Sequence, residues 1–142
     1  MTESERSSEA RELAETALAW LLTELEEPAG LEGYLLPKCV AARTRAADKD
    51  YYDLPYVLLH NRVGGPAQAA TQLREGQLAE QLSGLRSTFV ELRERYGRTS
   101  DRGPTSYAEQ MRLVEPDADA SLLRADAVAA VQEFLDELGF DH

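Results

Sequence analysis

Apolar residues recur in this chain at intervals of three and four, and no β-branched run alternates with polar residues. That spacing lines up apolar side chains on one stripe of a helix, whereas a half-buried strand needs a period of two. Ala and Leu are abundant while Val and Ile are sparse, which favours the same answer. The expected fold is all-α, an irregular bundle of five to seven helices with no sheet. A length of 142 residues suits one domain. Residues 1–7, without apolar content, are expected to form a disordered tail, and 8–142 a single helical domain.

Gly and Pro divide the pattern. A leading helix is predicted over 8–27, on Leu13, Ala17, Leu21 and Leu25, with Glu26-Glu27-Pro28-Ala29-Gly30 as its stop and 8–33 as the leading unit. A second is predicted over 33–47, with Pro37 in or near its first turn. A third begins near Asp50, is secure from Asp53 because of Pro55, and runs to Asn61. Gly64-Gly65 then supplies a left-handed stop, and Pro66 opens the next helix. That fourth segment should cover 66–82 with an irregularity at Gly76, and Ser83-Gly84 divides it from a fifth helix bearing Leu85, Phe89, Leu92 and Tyr96. Residues 97–103 read as a loop, and Pro104 opens a short helix with Tyr107 and Met111. The last helix follows Pro116-Asp117-Ala118-Asp119. Leu21, Leu58, Phe89, Val131 and Phe134 are expected in the core, where burial stabilises by about 1.5–3 kcal/mol per side chain.

A formal net charge of −11 argues against a general nucleic-acid or anionic-membrane binder, because neutralising phosphates needs surplus basic residues. No duplex nucleic acid and no membrane is expected as a partner. No apolar run approaches the ~18 residues of a bilayer span, and Met-Thr-Glu-Ser-Glu-Arg is acidic where a signal peptide is basic and then apolar, so the expected location is cytoplasmic. Cys39 is the single cysteine, and with only His60 and His142 beside it no tetrahedral zinc set can be built. Cys39, next to Val40, is expected to be a buried inert thiol. His60 is expected at a helix end, where an imidazolium favours the dipole. Asp48-x-Asp50 and Asp117-x-Asp119 have the look of paired metal ligands, but neither follows a strand or a Gly-Ser turn, and no metal site is assigned to them.

The segment 38–54 stands apart, because it sets Lys38, Arg43, Arg45 and Lys49 beside Asp48, Asp50 and Asp53; Lys38 and Lys49 are the only lysines. Lys38 and Arg45 share a helix face. An uninterrupted helix would hold Lys38 and Asp50 about 18 Å apart. They meet only if the chain reverses near Ala46-Ala47-Asp48. Two meanings stay open: an ion-pair corner in which Asp50 and Asp53 cap the next helix, or a binding site for an anion.

Lys38-x-x-Ala41-x-x-x-Arg45 followed by Lys49-Asp50-x-x-Asp53-Leu54 resembles the Lys…Ala…Arg…Arg/Lys-Asp-x-x-Asp-Leu motif of the AbiEii/AbiGii-toxin-like nucleotidyltransferases. Gly64-Gly65-Pro66 after the next helix, and Gly103-Pro104 before a short one, are similar to that family too, so the resemblance runs from about Tyr34 to the C-terminus. It implies that Lys38 faces a triphosphate and that Asp50 acts as a base toward the acceptor hydroxyl, the two forming the catalytic pair. It further implies that Arg45 and Lys49 contact nucleotide phosphates and that Asp53 caps the helix. Members of the family also carry an N-terminal palm in which a Gly-Ser turn precedes an Asp-x-Asp metal pair. The 142 residues contain no such segment. The resemblance therefore implies the helical half of a toxin- or defence-type nucleotidyltransferase, inactive alone. Magnesium and nucleoside triphosphate are expected only together with a palm on another segment or chain, and the expected protein partner is that palm or an antitoxin-like chain. The alternative is an acidic all-helical interaction or regulatory module that retains the ancestral fold.

Overall fold

The computed structural model describes residues 28–76 and 78–139. Over these, the chain forms α1 (Pro28–Thr44), α2 (Asp48–His60), α3 (Pro66–Glu75), a 3-10 segment (Ala79–Leu85), α4 (Arg86–Arg95), α5 (Arg102–Val114) and α6 (Ala120–Leu138). Among the described residues there is no strand, and no helix is long and apolar enough to cross a membrane. The protein is an all-α bundle. α2 packs on α1, α5 and α6, while α6 also packs on α3 and α4, and all six helices feed one apolar cluster. Leu58, Phe89, Val131 and Phe134 lie in it as expected. The helix predicted over 8–27, and Leu21 with it, lies outside the described residues.

The helix boundaries shift where a proline or glycine has a partner distant in sequence. Pro28-Ala29-Gly30, expected as a stop, is instead helical and belongs to α1. Pro37 consequently falls in the helix interior and not in its first turn, and α1 stops at Thr44. Leu31, Leu35, Cys39 and Ala42 are buried on either side of Pro37, so the packed face continues through it. Gly76 does end α3, for a reason the local sequence hides. The buried Glu32 carboxylate accepts from Leu78 N at 3.3 Å and Gln72 Nε2 at 3.4 Å, and a Cβ on Gly76 would lie 1.6 Å from its Oε1. Ser83 and Gly84 interrupt nothing; they belong to the 3-10 segment.

α2 begins at Asp48, well before Asp53, and carries Pro55 in its interior. Pro55 cannot donate to the Tyr51 carbonyl four residues back. The Tyr96 hydroxyl donates there instead, at 2.8 Å, with its ring edge-on to Tyr51 at 6.1 Å between centroids. A tyrosine from α4's end thus completes the α2 hydrogen-bond ladder. The α2 terminus is closed by Asn61 and not by a left-handed glycine: its Nδ2 donates to Val57 O, Leu58 O and Gly65 O at 2.9–3.2 Å, and its Oδ1 accepts from Val63 N and Gly64 N. Gly64, at φ 132°, makes the turn that follows.

Tyr96→Phe should therefore leave a buried carbonyl unsatisfied and destabilise the fold by about 1–3 kcal/mol. In a Pro55→Ala background residue 55 can donate to that carbonyl again, so the same change should have a clearly smaller effect. Urea denaturation of the four chains measures both, and equal losses in the two backgrounds would contradict the account.

Candidate functional site

α1 and α2 are joined by a reversal at Ala46, which sits in the left-handed region at φ 51°. A non-glycine residue there costs roughly 1–2 kcal/mol, so the turn needs compensation. Arg45 N and Ala46 N both donate to Ala41 O at 2.9 Å, closing the end of α1. On the far side, Asp50 Oδ2 accepts from Ala47 N at 3.3 Å, which is the N3 half of a capping box. The cap is thus made by Asp50, whereas Asp53, predicted to cap, lies a turn deeper in α2 and makes no cap.

With the chain reversed, four charged side chains converge. Lys38 Nζ lies 3.2 Å from Asp50 Oδ1 and 2.9 Å from Asp53 Oδ2. Arg45 reaches the same Asp50 with both arms, Nε to Oδ2 at 2.9 Å and Nη2 to Oδ1 at 2.6 Å. The Asp50 side chain is 0% exposed and that of Lys38 13%, whereas Arg45 is 64% exposed and forms the outer rim. Lys49 is exposed in the first turn of α2 and is not brought into the cluster. Two carboxylates and two cations make the corner neutral.

Asp50 is held ionised. The Arg45 hydrogen bonds, followed by those of Lys38, outweigh burial and hold its carboxyl down at about 2. A carboxylate this weakly basic, with both oxygens engaged and no accessible surface, is arranged to position cations and not to take a proton from a hydroxyl. Tyr34, which the motif did not mark, completes the site. It stands one turn before Lys38 on α1, its ring centroid is 5.6 Å from the ammonium, and its hydroxyl bonds Asp53. Burial first, and then Asp53, push that hydroxyl above its ordinary value. The four-residue spacing of Tyr34 and Lys38 was the available signal.

The neighbouring charges are spoken for. Arg43 pairs with Glu91 at 2.6 Å and bonds Ser87, fastening α1 to α4. Asp48 turns away from Asp50 toward Ser106, whose hydroxyl donates to it at 3.0 Å, and Arg102 at 3.6 Å. Asp119 N-caps α6, accepting from Ser121 N at 2.8 Å. Among the described residues no three His, Cys, Asp or Glu side chains gather as a metal site. Cys39 is fully buried, and burial pushes its thiol up to about 12. His60 ends α2.

No protein-family model, curated protein or solved structure matches this chain.

Because Asp50's folded value lies below the ordinary one near about 4, its ionisation favours the fold fully above pH 4, and this contribution disappears as pH falls from about 4 to about 2. Carboxyl carbon titration by NMR should find Asp50 well below 4 in the parent chain and higher in Arg45→Ala. Titration near 4 in the parent would overturn the assignment.

Proposed function

We propose that this chain is the helical half of a nucleotidyltransferase-like protein of the toxin or defence type, which presents Lys38 and Arg45 to a palm on another segment or chain. The observation supporting this reading most is convergence: the motif's Lys38, Arg45, Asp50 and Asp53, drawn from two helices and the turn between them, meet within hydrogen-bonding distance at one partly open corner. A buried ion cluster is often no more stabilising than an apolar one of the same volume, so net stability by itself does not explain why charges stand here.

In this reading Lys38 brings a compact ammonium to a triphosphate, and Arg45 offers a planar fork from the rim. Lys49, exposed in the first turn of α2, is a further phosphate contact. Asp50 and Asp53 hold Lys38 in place and hand its charge over when a phosphate arrives. Phosphoryl transfer needs a metal clamp and an aligned nucleophile, and these belong to the palm with its magnesium. A second reading, an interaction module of the same fold, is favoured by one feature: Lys38 is already neutralised by two carboxylates.

Genomic context and activity separate the two. An adjacent or continuous frame encoding Gly-Ser followed by Asp-x-Asp supports the first reading, and its absence supports the second. Incubated with labelled nucleoside triphosphates and magnesium, the 142-residue chain alone should transfer nothing. Assembled with the palm it should transfer, and Lys38→Ala should lower the rate at least about tenfold, the size of one lost charge-assisted phosphate contact. Unchanged transfer in Lys38→Ala, or turnover by the chain alone that Asp117 or Asp119 substitutions abolish, would overturn the proposal.

A further inference from the structure

α2 presents a second face, distinct from the one that holds the ion-pair corner. Tyr52, Tyr56 and His60 recur there at four-residue spacing, and with Tyr107 of α5 they line a cleft of 580 Å³ closed on its other sides by α5 and the first turns of α6. Tyr52 lies between two other rings, stacked on Tyr56 at 5.4 Å and on Tyr107 at 5.8 Å between centroids, and Tyr56 meets His60 at 4.7 Å. Only Tyr107 of the four is buried. Tyr107 belongs to the apolar core, and Tyr52 and Tyr56 pack against that core while leaving part of each ring exposed along the cleft.

The charge of the cleft is one-sided. Its acidic groups are Glu115 and Asp126, both exposed, and no Lys or Arg lines it. Neither carboxylate has an ion-pair partner among the described residues. Both lie close to the phenols: Glu115 helps to push up Tyr52, Tyr56 and Tyr107, and Asp126 helps to push up Tyr107, each adding to burial. Aromatic faces are electron-rich and attract cations, and carboxylates at the same mouth add to that attraction. The apolar wall of Leu59, Met111 and Leu123 suits an alkyl body. The volume falls within the range of small-molecule sites.

We propose that this cleft binds an organic cation, an alkylammonium or guanidinium group whose charge rests on the tyrosine faces and pairs with Glu115 and Asp126. The assignment rests on the cleft alone and stands apart from the nucleotidyltransferase reading, since a triphosphate would be repelled here.

The full chain is titrated with choline and with agmatine, with 3,3-dimethylbutan-1-ol as the neutral counterpart of choline, and with a short peptide carrying a single arginine, all at matched ionic strength. The readout is the NMR shifts of the tyrosine ring protons. The expected result is saturable shifts at Tyr52, Tyr56 and Tyr107 with the cations and none with the alcohol. Tyr56→Leu should weaken binding about tenfold, the worth of one cation–π contact in a desolvated site. Glu115→Gln, an exposed substitution that leaves packing untouched, should weaken it severalfold. Tighter binding of choline or agmatine assigns the cation to a free small molecule, and tighter binding of the peptide assigns it to an arginine of a protein partner. Absence of saturation with every cation, an equal response to the alcohol, or undiminished binding in Glu115→Gln would overturn the proposal.

Discussion

The Asp50 carboxylate joins α1 to α2, and the placement of the remaining helices follows from that junction. Its oxygens accept from Lys38 on α1 and from Arg45 and Ala47 N in the turn, so one side chain on α2 bonds α1 and the reversal between them. Without those bonds the left-handed Ala46 would be a strained connection, and a buried carboxylate would be an uncompensated charge. With them α2 is held in one orientation on α1, and the helices α5 and α6 pack on it. The neutrality of the corner matters in a chain of net charge −11, where an extra unpaired carboxylate at this depth would add to an existing repulsion.

The same logic of partner-completed backbone recurs elsewhere. Pro55 frees a carbonyl and the Tyr96 hydroxyl takes it up; Asn61 fills the open end of α2 with five hydrogen bonds; Gln132 Nε2 on α6 donates to Arg93 O and Tyr96 O at the end of α4, while Arg93 pairs with Asp136. The Tyr96 and Gln132 bonds tie a helix defect or end to a different helix, and Asn61 ties the end of α2 to the turn that follows it. Two of the irregularities, Pro55 and Gly76, sit where a distant side chain, Tyr96 or Glu32, satisfies or needs them. α2 has three faces: Asp50 and Asp53 meet Lys38 and Arg45, Tyr51, Leu54 and Leu58 face the core, and Tyr52 and Tyr56 line the acidic cleft.

What could be read in the sequence was whatever local periodicity encodes. The all-α class, the reversal near Ala46-Ala47-Asp48 and the burial of Leu58, Phe89, Val131 and Phe134 follow from apolar spacing and from charges that can meet only if the chain turns. The errors lie where a partner from another element decides. Pro37 reads as a first-turn residue until the packing of Leu31 and Leu35 extends α1 backward past it, and Pro55 moves the secure start of the next helix to Asp53 until the Tyr96 hydroxyl completes the ladder. Asp50 and Asp53 are equivalent as capping candidates by sequence alone; the early start of α2 at Asp48 gives the cap to Asp50 and leaves Asp53 to Lys38 and Tyr34. The tyrosine cleft had only half a local signature, the four-residue spacing of Tyr52, Tyr56 and His60, because Tyr107 on α5 and Glu115 just beyond it reach the cleft from far along the chain.

Lys38, Arg45 and Asp50 act as one unit across the reversal, and a double-mutant cycle on Lys38→Met and Asp50→Asn measures that coupling directly. Chemical denaturation of the parent, both single variants and the double variant should give an interaction energy of about 1–3 kcal/mol, within the range for residues sharing one ion-pair network. Losses that add to within about 0.5 kcal/mol would mean that the two groups are energetically independent, and the corner could not then be what fixes α2 on α1.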